Sequence, residues 1–221
     1  MCAVKRRIVI VEDHPITRRG VMALIAREPD LEVCGETDSA PKALDLIRTT
    51  LPDLAIIDIS LKNVSGIELM KNIKSLVPEL PLLVMTMHEE SLYAERALRA
   101  GARGYVMKHE GPAQIIAAIR TVLKNELFLS ETMKEMMLDR LVNKRRGDDS
   151  MFAIDSLTDR EMEVFQLIGT GFSTRQIAST LNLSSKTVDS HRDHLKLKLR
   201  LESGAELVRT AVQWMKTEHV R

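Results

Sequence analysis

The sequence predicts an α/β domain built on five parallel strands, followed by a small all-α domain of four helices. Three observations support this. Short apolar runs at 8–11, 54–57 and 82–85 alternate with stretches of helical period up to residue 125. No strand-like run recurs after Phe152. The length of 221 residues suits one large or two small domains, at roughly 100–200 residues each.

The three apolar runs lack period-two alternation, as strands covered on both faces do. Weaker strands fit 31–36 and 104–107. Helix-period stretches lie between them at 16–28, 40–50, 66–76, 91–100 and 111–124. Crossovers of this length between parallel strands give a three-layer sandwich with right-handed connections. Residues 130–142 carry a Met/Leu stripe (Met133, Met136, Met137, Leu141), read as a short amphipathic helix. A charged linker follows at 143–149. The expected limits are 1–125 for the first domain, 126–152 for the linker and 153–221 for the second domain.

The second domain announces its helices by their start signals. Thr158 with Glu161, Ser173 with Gln176 and Ser203 with Glu206 have the spacing of capping boxes. Ser184 or Ser185 caps the remaining helix. Gly169 and Gly171 end the first helix of the set.

Charge excludes whole classes. Lys and Arg number 32 against 31 Asp and Glu, a formal net of +1, so a histone-like or polybasic membrane-binding chain is ruled out. One Trp, two Tyr and four Phe are scattered, which argues against a base-stacking single-strand binder. Cys2 and Cys34 could form one bridge in principle, but a disulfide framework has no support, and no second pair completes a zinc set. No apolar run approaches the roughly 20 residues of a membrane span, and the apolar stretch at 8–11 is too short for a signal peptide. A soluble, cytoplasmic protein with no membrane partner is expected.

In an open α/β sheet, ligands sit beyond the carboxyl ends of the strands. There the first strand ends in Glu12 and Asp13, the third in Asp58, the fourth in Thr86, and Lys108 follows the fifth. Crowded carboxylates repel one another, and Mg2+ relieves that repulsion with a few carboxylates plus water. Lys108 neutralises an incoming anion, and Asp58 is a nucleophile for a phosphoryl group. His14, beside Pro15, reads as a helix-start residue. A flavin binder needs a Ser/Thr/Gly-rich loop where Glu12-Asp13-His14-Pro15 stands. A haloacid-dehalogenase-like phosphatase needs an acid where Ser60 stands.

At Ile8-Val-Ile-Val-Glu-Asp-His14, Leu54-Ala-Ile-Ile-Asp58, Val84-Met-Thr86 and Ala102-Arg-Gly-Tyr-Val-Met-Lys108, the chain resembles the receiver domain of bacterial two-component response regulators, a flavodoxin-like sandwich. The resemblance covers residues 5–125. It implies that Asp58 accepts phosphate from a cognate histidine kinase. It also implies that Glu12, Asp13, Asp58 and the backbone carbonyl of Ser60 hold Mg2+. Thr86 bonds the phosphoryl oxygen and Tyr105 is the coupled switch. Lys62 and His109 depart from the proline often found at those places in the family.

Residues 171–191 read as helix, turn, helix. On the following helix Val188, Leu195 and Leu199 share one stripe, so Lys186, Asp189, Ser190 and Asp193 tend outward. Leu157-Thr-Asp-Arg-Glu161, Gly171, Ile177-Ala178, Leu183-Ser184, Lys186-Thr-Val188, His191-Arg192 and Lys198-Leu199 resemble the LuxR-type (NarL/FixJ) helix-turn-helix domain. That implies insertion of helix 185–199 into the major groove of double-stranded DNA. Lys186, Thr187, Asp189, Ser190, His191, Arg192, Asp193, Lys196 and Lys198 are the candidate contacts. Residues 151–221 carry ten cations and nine acids, but 186–200 carry five cations against two carboxylates. That patch serves phosphate contact or the helix C-terminus. Asp189 and Asp193 depart from the basic or neutral residues often found there. Asp189 either accepts from a cytosine N4 or serves the helix N-terminus. His191 reads as a packing or phosphate residue rather than a metal ligand.

The expected function is a phosphorylation-controlled transcriptional regulator that dimerises when phosphorylated or DNA-bound. Its only expected chemistry is its own phosphorylation and slow dephosphorylation. The alternatives are a regulator independent of phosphorylation and a metal-dependent phosphoaspartyl hydrolase.

Overall fold

The computed structural model describes residues 4–61, 64–88, 90–142, 154 and 157–219. Lys62, Cys2 and the charged run at 143–150 lie outside the described residues. The chain divides into two compact units, Met1–Asp139 and Arg140–Arg221.

In the first unit five parallel strands, β1 (Arg6–Val11), β2 (Leu31–Thr37), β3 (Leu54–Ile57), β4 (Leu82–Thr86) and β5 (Gly104–Met107), form one sheet of order β2-β1-β3-β4-β5. The helices between them are α1 (Pro15–Ile25), α2 (Ala40–Thr50), α3 (Gly66–Leu76), α4 (Glu90–Arg99) and α5 (Pro112–Leu123). A proline stands at the first or second helical position of α1, α2 and α5, where its missing N–H costs nothing and its fixed φ suits the helix.

The central strands are buried on both faces, which explains their unalternated apolar runs. Ile8, Ile10, Leu54, Ile56, Leu83 and Val106 pack with Val21 and Ile25 of α1 and Ile115, Ile119 and Val122 of α5. Strand β2 is an edge with a broken burial pattern, and its register against β1 shifts between Ile8 and Val9. The opposite edge is partly closed. Phe128 bridges Gly104 in parallel, and its carbonyl accepts from Tyr105 N at 2.9 Å. Leu129 and Met133 are buried next to it, so α6 (Glu131–Val142) starts against the first unit.

The second unit holds α7 (Asp159–Gly169), α8 (Thr174–Thr180), α9 (Ser185–Lys198) and α10 (Gly204–His219). Both arms of the capping boxes are made at Thr158/Glu161 and Ser173/Gln176. At α10 the box is offset. Ser203 Oγ accepts from Glu206 N at 3.2 Å, while the Glu206 carboxylate takes Glu202 N at 2.7 Å. Phe165, Val188, Leu195, Leu207 and Ala211 form the buried centre. Helices α7 and α10 cross closely at Gly169, where a Cβ would lie 2.8 Å from the Ala211 carbonyl oxygen. Among the described residues no helix is long and apolar enough to cross a membrane.

Candidate functional site

Strand register assembles the first site. Val11 pairs with Ile57, so the next residues, Glu12 and Asp58, leave adjacent strands side by side. Asp58 N donates to Val11 O at 3.0 Å and Glu12 N to Thr37 O at 3.0 Å. Thr86 pairs with Met107, and Lys108 N donates to Thr86 O at 2.8 Å. Sheet order therefore puts Glu12, Asp13, Asp58, Thr86 and Lys108 at one edge, where β1 parts the chain to either side.

Their side chains are withdrawn from water. Glu12, Asp13 and Asp58 are 1%, 6% and 2% exposed, and Thr86 is fully buried. Lys108 Nζ donates to Asp58 Oδ2 at 2.7 Å and to Glu12 Oε1 at 3.0 Å. Glu12, Asp13, His14 and Asp58 each offer a ligand atom within 4.8 Å of the others. Glu12 Oε2, Asp13 Oδ1 and Asp58 Oδ1 are buried with no hydrogen-bond partner. Lys108 and His14 approach the first two at 2.7 and 2.8 Å, but as ion-pair contacts without hydrogen-bond angles. Among the described residues Asp58 Oδ1 has no such neighbour. Burial and the Asp58 charge push the Glu12 carboxyl above its ordinary range, against the opposing pull of Lys108. Burial alone would lower the Lys108 ammonium, but Asp58 and Glu12 together outweigh it and hold it above its ordinary value.

His14 has two roles. Its backbone caps α1 without a side-chain cap bond, as expected of a helix-start residue. Its ring, 66% exposed, turns back to Asp13 and Glu12. Tyr105 is buried on β5, and its hydroxyl donates to His88 O at 2.9 Å. Ser60 Oγ lies at hydrogen-bond distance, 2.6 Å, from His88 Nε2, and the His88 ring stacks at 4.5 Å on Tyr93. His88 thus joins the loops after β3 and β4. Sequence reading gave it no role, because its partner Ser60 lies 28 residues away and no local spacing signals the pair. Gly66 likewise reads in sequence only as a helix start. A Cβ there would lie 1.9 Å from the Asp58 carbonyl oxygen, so only glycine lets α3 begin against the site.

In the second unit Lys186, Asp189, Ser190 and Asp193 are exposed on α9, opposite buried Val188 and Leu195. Thr187 is half-buried and tied to the helix start, its N donating to Ser184 Oγ at 3.0 Å. Arg192 is half-buried. So is His191, whose Nδ1 is buried with no hydrogen-bond partner. Burial, with Arg160 nearby, lowers its pKa and keeps it neutral. Lys196 pairs with Asp193 at 2.9 Å. Lys198 pairs with Glu161 Oε2 at 2.7 Å, linking the end of α9 to the capping box of α7. That bond and the Thr158 amide overcome the effect of burial and hold Glu161 below the usual carboxylate range. Asp189 stands at the fifth position of α9, whose first turn contains no acid.

Comparison with known proteins matches both units. Residues 8–120 match the response regulator receiver domain model, and residues 155–211 match that of the bacterial regulatory proteins of the luxR family. The chain is 35% identical to the virulence-factor transcription regulator BvgA of Bordetella pertussis, over 91% of this chain and 94% of that one. It is 32% identical to the oxygen regulatory protein NreC of Staphylococcus haemolyticus, over 94% and 97% of the two chains. The structure of RcsB from Salmonella enterica serovar Typhimurium, bound to promoter rprA with the phosphomimetic BeF3-, matches with a TM-score of 0.58. It is 25% identical and covers 93% of this chain and 97% of that one. Sheet order, acidic pocket, helix-turn-helix and both family models agree that this chain belongs to the two-component response regulators, with a receiver domain and a DNA-binding domain of the LuxR type.

Proposed function

We propose that the chain is a transcriptional regulator switched by phosphorylation of Asp58. The observation that carries this reading is the state of that carboxylate. It is buried and held by Lys108 through Oδ2, while among the described residues Oδ1 has no hydrogen-bond partner. The phosphohistidine of a cognate histidine kinase is the donor. Asp58 Oδ1 attacks the phosphorus, the P–N bond breaks, and the imidazole leaves with the bonding electron pair. Lys108 stays charged and neutralises one phosphoryl oxygen, and the Thr86 hydroxyl binds another.

Glu12, Asp13, Asp58 and the Ser60 carbonyl are hard oxygen donors suited to Mg2+, and the buried, unpartnered carboxylate oxygens fit such an ion. When bound, Mg2+ supplies positive charge to the donor's oxygens. Slow hydrolysis of its own acyl phosphate is the only further chemistry of this chain. Tyr105, through its bond to the His88 carbonyl, is the group that carries the local change outward.

The output is binding to double-stranded DNA through α9, as a homodimer once phosphorylated or DNA-bound. The related RcsB has been solved bound to promoter DNA, and as two dimers on two parallel DNAs. A regulator of transcription works in the bacterial cytoplasm. Mass spectrometry after treatment with acetyl phosphate and Mg2+ should find one phosphoryl group on the full chain, and none on Asp58→Asn or after chelation of Mg2+. Equal labelling of Asp58→Asn overturns the reading.

A further inference from the structure

A negative charge on a helix that enters a DNA groove needs a reason, because the phosphates repel it. Asp189 is such a charge. Three structural reasons can be checked, and none accounts for it. It does not cap α9, since Ser184 Oγ already takes Thr187 N at 3.0 Å. It does not serve the helix dipole. That field falls off within the first turn, which holds no acid, and Asp189 lies beyond it. Among the described residues it makes no ion pair, whereas Asp193 on the same exposed face has Lys196 at 2.9 Å. Among the described residues Asp189 has no hydrogen-bond partner either. It also stands four residues before Asp193, a like-charge spacing that disfavours the helix.

We propose that Asp189 is a specificity-determining contact, its carboxylate accepting a hydrogen bond from the N4 amino group of a cytosine in the major groove. This rests on the reading of α9 as the DNA-binding helix. A carboxylate only accepts, so it needs a base edge that donates. Guanine and thymine present acceptors there. The adenine amino group is flanked by its own N7 and by thymine O4, both acceptors that repel a carboxylate. The cytosine amino group has the apolar C5–H edge on one side, so cytosine is the base this side chain selects.

The test is selection of binding sites from random duplexes by the full chain, with and without acetyl phosphate, for wild type, Asp189→Ala and Asp189→Asn. Wild type should fix cytosine at one position of each half-site. Asp189→Ala should lose about 5- to 150-fold discrimination at that position alone, while nonspecific duplexes bind more tightly because repulsion is relieved. Asp189→Asn should move the preference to adenine, whose N6 and N7 suit an amide. Asp189 is exposed, and unchanged Trp214 fluorescence checks that the variants fold. Cytosine retained by Asp189→Ala, or a loss spread over all positions, overturns the assignment alone. A wild type that binds no duplex in either condition contradicts the DNA-binding reading and the assignment with it.

Discussion

Two opposing effects meet at Asp58. Carboxylates gathered away from water repel one another more strongly than they would at a surface, because screening is weaker there. Lys108 offsets part of this by bonding Asp58 and Glu12 at once. What remains favours a divalent cation, so Mg2+ should raise the thermal midpoint of the receiver unit. At 100 times the dissociation constant, a ligand specific for the folded state adds about 2.7 kcal/mol. Calorimetry in Mg2+ and in chelator should show this for wild type and much less for Asp13→Asn. A midpoint that ignores Mg2+ contradicts the proposed ligand set. Gly66 gives a second prediction at this scale. The contact a Cβ would make with the Asp58 carbonyl oxygen cannot be relieved by a side-chain rotation. Gly66→Ala should cost about 1–3 kcal/mol in urea unfolding and slow phosphorylation, because the backbone of Asp58 must move. The carboxylates and Lys108 were legible because each stands one or two residues beyond an apolar run. His88 was not, since its meaning depends on Ser60 and Tyr105, which only the fold brings near.

Legibility among the elements followed burial. Strand β3 and helices α2 and α3 span the very residues that the pattern predicts, because a fully covered strand leaves an unbroken apolar run and a one-sided helix leaves its 3.6-residue period as the signal. Strand β5 also has the predicted bounds, although its run is weaker. Edge strand β2 left a weak one, its burial being interrupted and its register shifted. The pairing of Phe128 with Gly104 left none, since a single bridge has no period. The five cations at 186–200 read alike in sequence, yet Lys198 is engaged with Glu161 and Lys196 with Asp193. The Lys198–Glu161 bond gives a pH prediction for the helical unit. Glu161 is held below its unfolded value, about 4.3, so its stabilisation is complete above that pH and is lost as pH falls through the folded value. Glu161→Gln should lower the urea midpoint at pH 7 and flatten its fall between about pH 5 and 3. The sole tryptophan, Trp214, has its ring 5.6 Å from Phe165, so its fluorescence reports this unit directly. Equal acid limbs in the two proteins would remove Glu161 from the account.

For the molecule as a whole, phosphorylation at one site must alter binding at another, and a coupling free energy is the measure of that link. A complete switch from 1:99 to 99:1 needs about 5.5 kcal/mol of differential stabilisation, and typical couplings of about 1–3 kcal/mol give a partial shift. Light scattering should therefore show a monomer–dimer equilibrium displaced towards dimer by acetyl phosphate in wild type and unmoved in Asp58→Asn. The central claim is that the state of Asp58 controls what α9 does on DNA. A titration of a selected duplex at fixed salt, with and without acetyl phosphate and Mg2+, tests it most directly. Wild type should bind about 5- to 150-fold more tightly when phosphorylated, with Asp58→Asn fixed at the unphosphorylated affinity. Identical affinities in both states of the wild-type chain, with labelling of Asp58 confirmed, would contradict it.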